Sequence, residues 1–293
     1  MGLWRKWHRI LGIGGRRRDL PADVYLVSFP KCGRTWLTLL VGRAIQQHFG
    51  LDEADPLRLR KLGDLRPEIP CIAPTHDELP QWKKPDEMSS DKSRYKGKKV
   101  IFLVRDPRDT FVSNYFQKKK RVTVSRTFFF LRKRGRERRR PFDGELADFM
   151  NFPVGGFDSL LRFFNVWERQ RTVPDGFLLV RYEDMHEDAG RELRRVLDFV
   201  GVAGVSDEIV DEAVRFASFD SMHRMEKAQA FKHGKMKPAD KDDGESFKTR
   251  KGKVGGYVDY LTEEQIAELN RKMAETLSPF YRYEPCAGEA GDS

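Results

Sequence analysis

Lys31, Gly33 and Thr35 sit where the chain changes character. Val24-Tyr25-Leu26-Val27-Ser28-Phe29-Pro30 is a β-branched and aromatic run ending in proline, which predicts a buried strand. Leu37 to Ile45 is apolar enough for a helix lying on a sheet. A strand–loop–helix turn points backbone N–H groups and a helix N-terminus at one place. With the Lys31 ammonium and the Thr35 hydroxyl beside it, such a turn suits an anion. The same residues also fit an ordinary βα turn with a surface lysine. A Walker A loop is excluded, because Lys31 precedes Gly33 and G-x-x-x-x-G-K-[ST] is absent.

Two other places have residue types for anion and proton chemistry. Val100-Ile101-Phe102-Leu103-Val104 is a buried strand running into Arg105-Asp106-Pro107-Arg108-Asp109, where Asp106 suits a helix cap and Pro107 the first helical turn. Ser113 then falls about two turns into that helix, on the side of the strand end. His76 ends a brief strand between Pro74 and Pro80. Alone, it fits a loop or core histidine as well as a proton acceptor. Cys32, Cys71 and Cys286 are scattered and odd in number, so neither a disulfide framework nor a required metal is expected.

Around these residues, strands alternate with helices. Phe177-Leu178-Leu179-Val180 is another short strand, and helices are expected near 157–167, 187–200, 207–217 and 263–276. Residues 51–70 and 232–256 read as loops. This pattern implies an α/β single domain with a mostly parallel central sheet flanked by helices, and a ligand at the carboxyl ends of the strands. The 293 residues, 39% hydrophobic and 12% aromatic, suffice for one sizeable core and exclude a disordered chain. No apolar run approaches the roughly 20 residues of a membrane-spanning helix. No apolar leader follows the basic, aromatic first ten residues, so a reducing, cytoplasmic setting is expected. Residues 1–20 read as a basic arm, 21–285 as the domain and 286–293 as a tail.

The formal net charge of +10 is local. Residues 118–140 hold twelve Lys and Arg and a single acid, Glu137. Removing them leaves the rest of the chain near neutral. That basic insert, with Phe128-Phe129-Phe130 inside it, serves either an anionic partner or solubility alone.

Taken in chain order, separated segments resemble the sulfotransferases that use 3′-phosphoadenosine 5′-phosphosulfate (PAPS). Phe29-Pro30-Lys31-Cys32-Gly33-Arg34-Thr35-Trp36 is similar to that family's 5′-phosphosulfate loop, and Thr75-His76 with Leu79-Pro80 to the segment of its catalytic histidine. Val104-Arg105-Asp106-Pro107-Arg108-Asp109 through Ser113 resembles the 3′-phosphate segment, and Arg250-Lys251-Gly252 the late Arg-Lys-Gly loop. Tyr182, Ser218 and Phe219 fall where the family contacts the nucleoside. The resemblance implies a P-loop-nucleotide-kinase-like sulfotransferase fold, PAPS as cosubstrate and no metal. It also implies transfer of a sulfuryl group to a hydroxyl or amine, with His76 as base and Lys31 supporting the bridging oxygen. Physical chemistry agrees, since a ligand with two separated anionic ends needs two cation-rich sites and a stacking surface. Arg105, Ser113, Arg250 and Gly252 suit the 3′ phosphate, and Trp36 and Phe219 the adenine.

The chain departs from the family pattern at several points. Cys32 and Arg34 replace small hydroxyl residues, Pro74 stands where many cytosolic members have Lys, and Gly256-Tyr257 replaces an Asp-Trp pair. The dimerisation sequence that often follows is barely recognisable, which leaves the oligomeric state open. A nucleotide-binding phosphotransferase on the same fold is one alternative, and a nucleic-acid or membrane-surface binding protein using the insert is another. No specific nucleic acid is expected. The insert suggests a hydroxylated acceptor that is an anionic glycan or lipid-linked, and a chain peripheral to the inner face of a membrane.

Overall fold

The computed structural model describes residues 22–121, 141–231, 236–238, 240 and 243–283. Four strands form a parallel sheet: β1 (Val24–Ser28), β2 (Ile72–Thr75), β3 (Lys99–Val104) and β4 (Gly176–Arg181), in the order β2-β1-β3-β4. Register pairs Val27 of β1 with Thr75 and Phe102, and Val104 with Arg181. Residues Val100 to Val104 are all buried, so both sheet faces are covered. That is the pattern of an unbroken apolar run in a parallel sheet.

The helices that matter to the site each start where a strand ends. Helix α1 (Arg34–His48) follows β1, and a short α2 (Leu59–Leu62) interrupts the expected loop between them and β2. Helix α3 (Pro107–Phe116) follows β3, with Pro107 in its first turn and the Asp106 carboxylate accepting the Arg108 N–H at 2.8 Å. Past a short α4 (Leu146–Met150), α5 (Phe157–Arg169) brings Phe163, Phe164 and Trp167 onto Phe102 of β3, with Trp167 stacked at 5.5 Å.

Beyond β4 the chain turns at once into α6 (Tyr182–Glu187), so Tyr182 opens a helix at the strand's carboxyl end. Helices α7 (Ala189–Val200) and α8 (Asp207–Phe216) pack against α1. Helix α9 (Phe219–Lys227) is capped by Ser218, whose hydroxyl accepts the Ser221 N–H at 3.4 Å, and α10 (Glu263–Thr276) completes the set used below. The first cations of the insert are built into the fold. A π-helical turn at Gln117–Arg121 continues α3, with Lys118 buried and Arg121 donating to the Lys237 carbonyl at 2.8 Å. Residues 122–140, with Phe128, Phe129 and Phe130, lie outside the described residues, as do the expected arm at 1–20 and the tail.

Candidate active site

All four strands end at one edge of the sheet, and the turns after them line a single cavity of about 850 Å³. Lys31, Gly33, Arg34, Thr35, Trp36, His76, Arg105, Ser113, Tyr182, Phe219, Arg250, Lys251 and Gly252 all line it. Two residues expected there do not. Cys32 is fully buried, its thiol 3.7 Å from the Thr110 hydroxyl, and burial pushes its pKa up to about 12. Ser218 caps α9, as described above. Neither is among the lining residues.

At the Lys31 end the backbone is bent for close approach. Lys31 has φ 78° and Gly33 φ 89°. Gly33 is required twice over, because a Cβ there would lie 2.5 Å from the Tyr182 ring. A lysine held at positive φ is a small store of backbone strain, as functional turns often show. Burial holds the Lys31 ammonium down to about 7, reinforced by the charges of Arg121, Lys248 and Arg250. Cations thus converge on one spot and only the Glu226 carboxylate partly offsets them, so a bound anion would favour the charged lysine.

The other end is a clamp. The Arg105 guanidinium meets Asp109 at 3.2 Å and the Lys253 carbonyl at 2.8 Å, and lies 4.3 Å over the Tyr182 ring. The Asp109 carboxylate also accepts the Gly255 and Tyr257 N–H groups, each at 2.9 Å. Asp109 therefore ties the start of α3 to the loop that presents Arg250 and Gly252. Arg250 lies 4.4 Å over Phe116 and 4.8 Å over Tyr260. Gly252 has φ 62°, and a Cβ on it would come 2.3 Å from the Phe219 ring. Trp36 packs edge-on to Tyr182 and His186, at 5.6 and 4.9 Å. Flat aromatic faces thus border the same cavity as the two basic ends.

His76 sits at the end of β2. Its Nδ1 lies 2.9 Å from the Ser28 carbonyl. A carbonyl only accepts, so Nδ1 carries the proton and Nε2 keeps a lone pair. Burial, then the Arg34 charge, holds this imidazole down to about 3, so it stays neutral. Past His76 the lining continues through Gln81, Trp82, Asn114, Gln117 and Lys118. Lys118 donates to the Val154 carbonyl at 2.6 Å, lies 4.9 Å from the Trp82 ring, and is held down to about 7 by burial.

Several of these residues escaped the sequence reading. Asp109 stood inside a recognised segment without a role. Lys248 and Thr249 precede Arg250, and their N–H groups bind the buried Glu226 carboxylate, at 2.8 and 3.0 Å to its nearer oxygens. Only the fold shows that Glu226 braces this loop. Arg121 belongs by sequence to the basic insert, yet its charge acts on Lys31 and it lies 3.6 Å from Glu226.

Among the described residues, no three or more His, Cys, Asp or Glu cluster as a metal site, and no helix is long and apolar enough to cross a membrane. A family model of the sulfotransferase domain matches residues 21–280. This chain belongs to the sulfotransferase family. It is a PAPS-dependent transferase, and the phosphotransferase alternative falls away. The sulfotransferase is 26% identical to cytosolic sulfotransferase 16 of Arabidopsis thaliana over 280 residues, covering 87% of this chain and 76% of the other. It is 23% identical to flavonol 3-sulfotransferase of Flaveria bidentis, covering 88% and 82%. The crystal structure of a mouse sulfotransferase complexed with PAP, the desulfated nucleotide, matches with a TM-score of 0.55 at 23% identity, covering 90% and 86% of the two chains, which shows the fold.

Proposed function

We propose that this cavity holds PAPS between the Lys31 turn and the Arg105–Arg250 end, and that the enzyme transfers its sulfuryl group to a hydroxyl delivered at His76. The observation that carries the reading is one cavity lined by the Lys31 turn, by Arg105 and Arg250, by flat rings and by a neutral histidine. Lys31 and the first-turn N–H groups of α1 receive the 5′ phosphosulfate. Arg105, Ser113, Arg250 and Gly252 surround the 3′ phosphate, with Lys251 alongside. Trp36, Tyr182 and Phe219 border the adenine. His76 Nε2 takes the acceptor proton, and Lys31 supports charge that builds on the departing phosphate.

The acceptor is a hydroxylated molecule with negative charge near the reacting group, an acidic glycan or a lipid-linked substrate. The basic composition of the insert supports this. The protein works in the cytoplasm, peripheral to a membrane surface, in keeping with the cytosolic relative and the insert's charge. The test is incubation with sulfur-35-labelled PAPS and panels of phenols, neutral and acidic glycans, and lipid-linked glycans. Label is expected on an acidic member with the parent enzyme and not with His76→Ala. Transfer to neutral phenols alone would overturn the acceptor class, and His76→Ala at the parental rate would remove His76 as base.

A further inference from the structure

Arg34 is the first residue of α1 and lines the cavity, yet its Nη1 is buried with no hydrogen-bond partner among the described residues. A guanidinium has five donors and no acceptor, and one left unmatched away from water is costly unless a ligand supplies oxygens. Two observations locate that ligand. Arg34 follows Gly33 directly, so it springs from the turn that carries Lys31. Its charge is also the largest electrostatic influence on His76, second only to burial. The guanidinium therefore shares one cavity with the phosphate turn and the base, close enough for its charge to act on His76.

We propose that Arg34 is the ligand of the sulfuryl group itself. The assignment rests on the PAPS reading above and deepens it. During transfer, the bond from sulfur to the 5′-phosphate oxygen breaks and its electron pair stays on that oxygen. A bond forms from sulfur to the acceptor oxygen, whose proton passes to His76 Nε2. The sulfuryl group must lie between the leaving oxygen at the Lys31 turn and the acceptor oxygen at His76. Arg34 springs from the phosphate turn and its charge acts on His76. Lys248 also acts there, but its backbone N–H is tied to Glu226. It is the planar fork of Arg34, with Nη1 unpartnered, that suits two sulfuryl oxygens at once. Lys31 and the helix start already serve the phosphate, so a second cation here has the sulfuryl oxygens to address. The arrangement also orders the reaction. With the donor absent, the Arg34 charge opposes an imidazolium at His76; a sulfuryl group seated on Arg34 offsets that charge, so the base gains strength only once the donor is in place.

PAPS and PAP differ only by the sulfuryl group, so paired titration calorimetry isolates its contacts without any acceptor. The parent, Arg34→Gln and Arg34→Lys are each titrated with both nucleotides. Arg34→Gln should bind PAP within about twofold of the parent and PAPS at least ~10-fold more weakly, with Arg34→Lys recovering part of the loss. Retained PAP binding shows that each variant is folded. An equal loss for both nucleotides would assign Arg34 to the 5′ phosphate and overturn the proposal, as would no loss for either. A parent that binds neither nucleotide would overturn the PAPS reading, and this assignment with it.

Discussion

At the scale of single residues, the site consists of charged groups held out of their ordinary state until a ligand arrives. Burial, then the neighbouring cations, holds the Lys31 ammonium down to about 7. A phosphosulfate or phosphate beside it favours the ammonium, so its pKa in the complex must rise. Below pH 7 the free enzyme already carries that proton, whereas above pH 7 binding must take one up. PAP binding at pH 8 should therefore take up close to one proton more than at pH 6, as read by calorimetry in buffers of different ionisation enthalpy. Lys31→Met should abolish that difference, and equal proton uptake at both pH values would refute the assignment. His76 is already in the tautomer a base needs, since the Ser28 carbonyl holds the proton on Nδ1 and leaves the Nε2 lone pair available. His76→Ala should keep PAP affinity within about twofold and lose ~10²–10⁴-fold in turnover. Residue types and order single out both groups, and both line the cavity. What they did not reveal is which way a loop side chain points, so Cys32, between two cavity residues, lies in the core instead.

At the scale of elements, the site depends on how the turns after β1, β2, β3 and β4 are tied to the loop around residue 250. The strands were legible because each is a short apolar run bounded by turn residues, and a parallel sheet buries such runs on both faces. The ties were not legible, because they join residues far apart in sequence. Asp109 reaches Gly255 and Tyr257, and Glu226 reaches Lys248 and Thr249. Nothing in their spacing marks them. Asp109→Ala removes the acceptor of two N–H groups and the partner of Arg105. Charge-assisted bonds of this kind contribute ~1.5–3 kcal/mol each, so PAP affinity should fall ~10-fold or more. Gly252→Ala tests the same loop from its outer side. A methyl group there meets the Phe219 ring at a strained φ, so PAP affinity should fall while the melting temperature changes little. Unchanged PAP affinity in both variants would show that the loop does not form the 3′ end of the site.

At the scale of the whole molecule, a near-neutral domain carries its excess charge in one insert, and the described start of that insert is anchored. Lys119 donates to Tyr115 Oη at 2.8 Å and pairs with Glu145 at 3.0 Å, while the Phe142 N–H returns to the Lys118 carbonyl at 3.3 Å. The two ends of the insert are thus neighbours. Replacing residues 123–139 with a short Gly/Ser linker should leave Lys118 to Arg121 and PAP affinity intact. Turnover of an anionic acceptor should fall, and the parent's rate should drop with salt as charges are screened over roughly 10 Å at 0.1 M. Unchanged acceptor kinetics at low salt would assign the insert to solubility alone. The central claim is a cavity with two anion sites, and the most direct measurement compares PAP with adenosine 5′-phosphate, which lacks the 3′ phosphate, on the parent and on Arg105→Ala. The parent should bind PAP at least ~10-fold more tightly, as expected for a charge-assisted contact, and Arg105→Ala should lose that preference while still binding adenosine 5′-phosphate. Equal affinity of the parent for the two nucleotides would contradict the account.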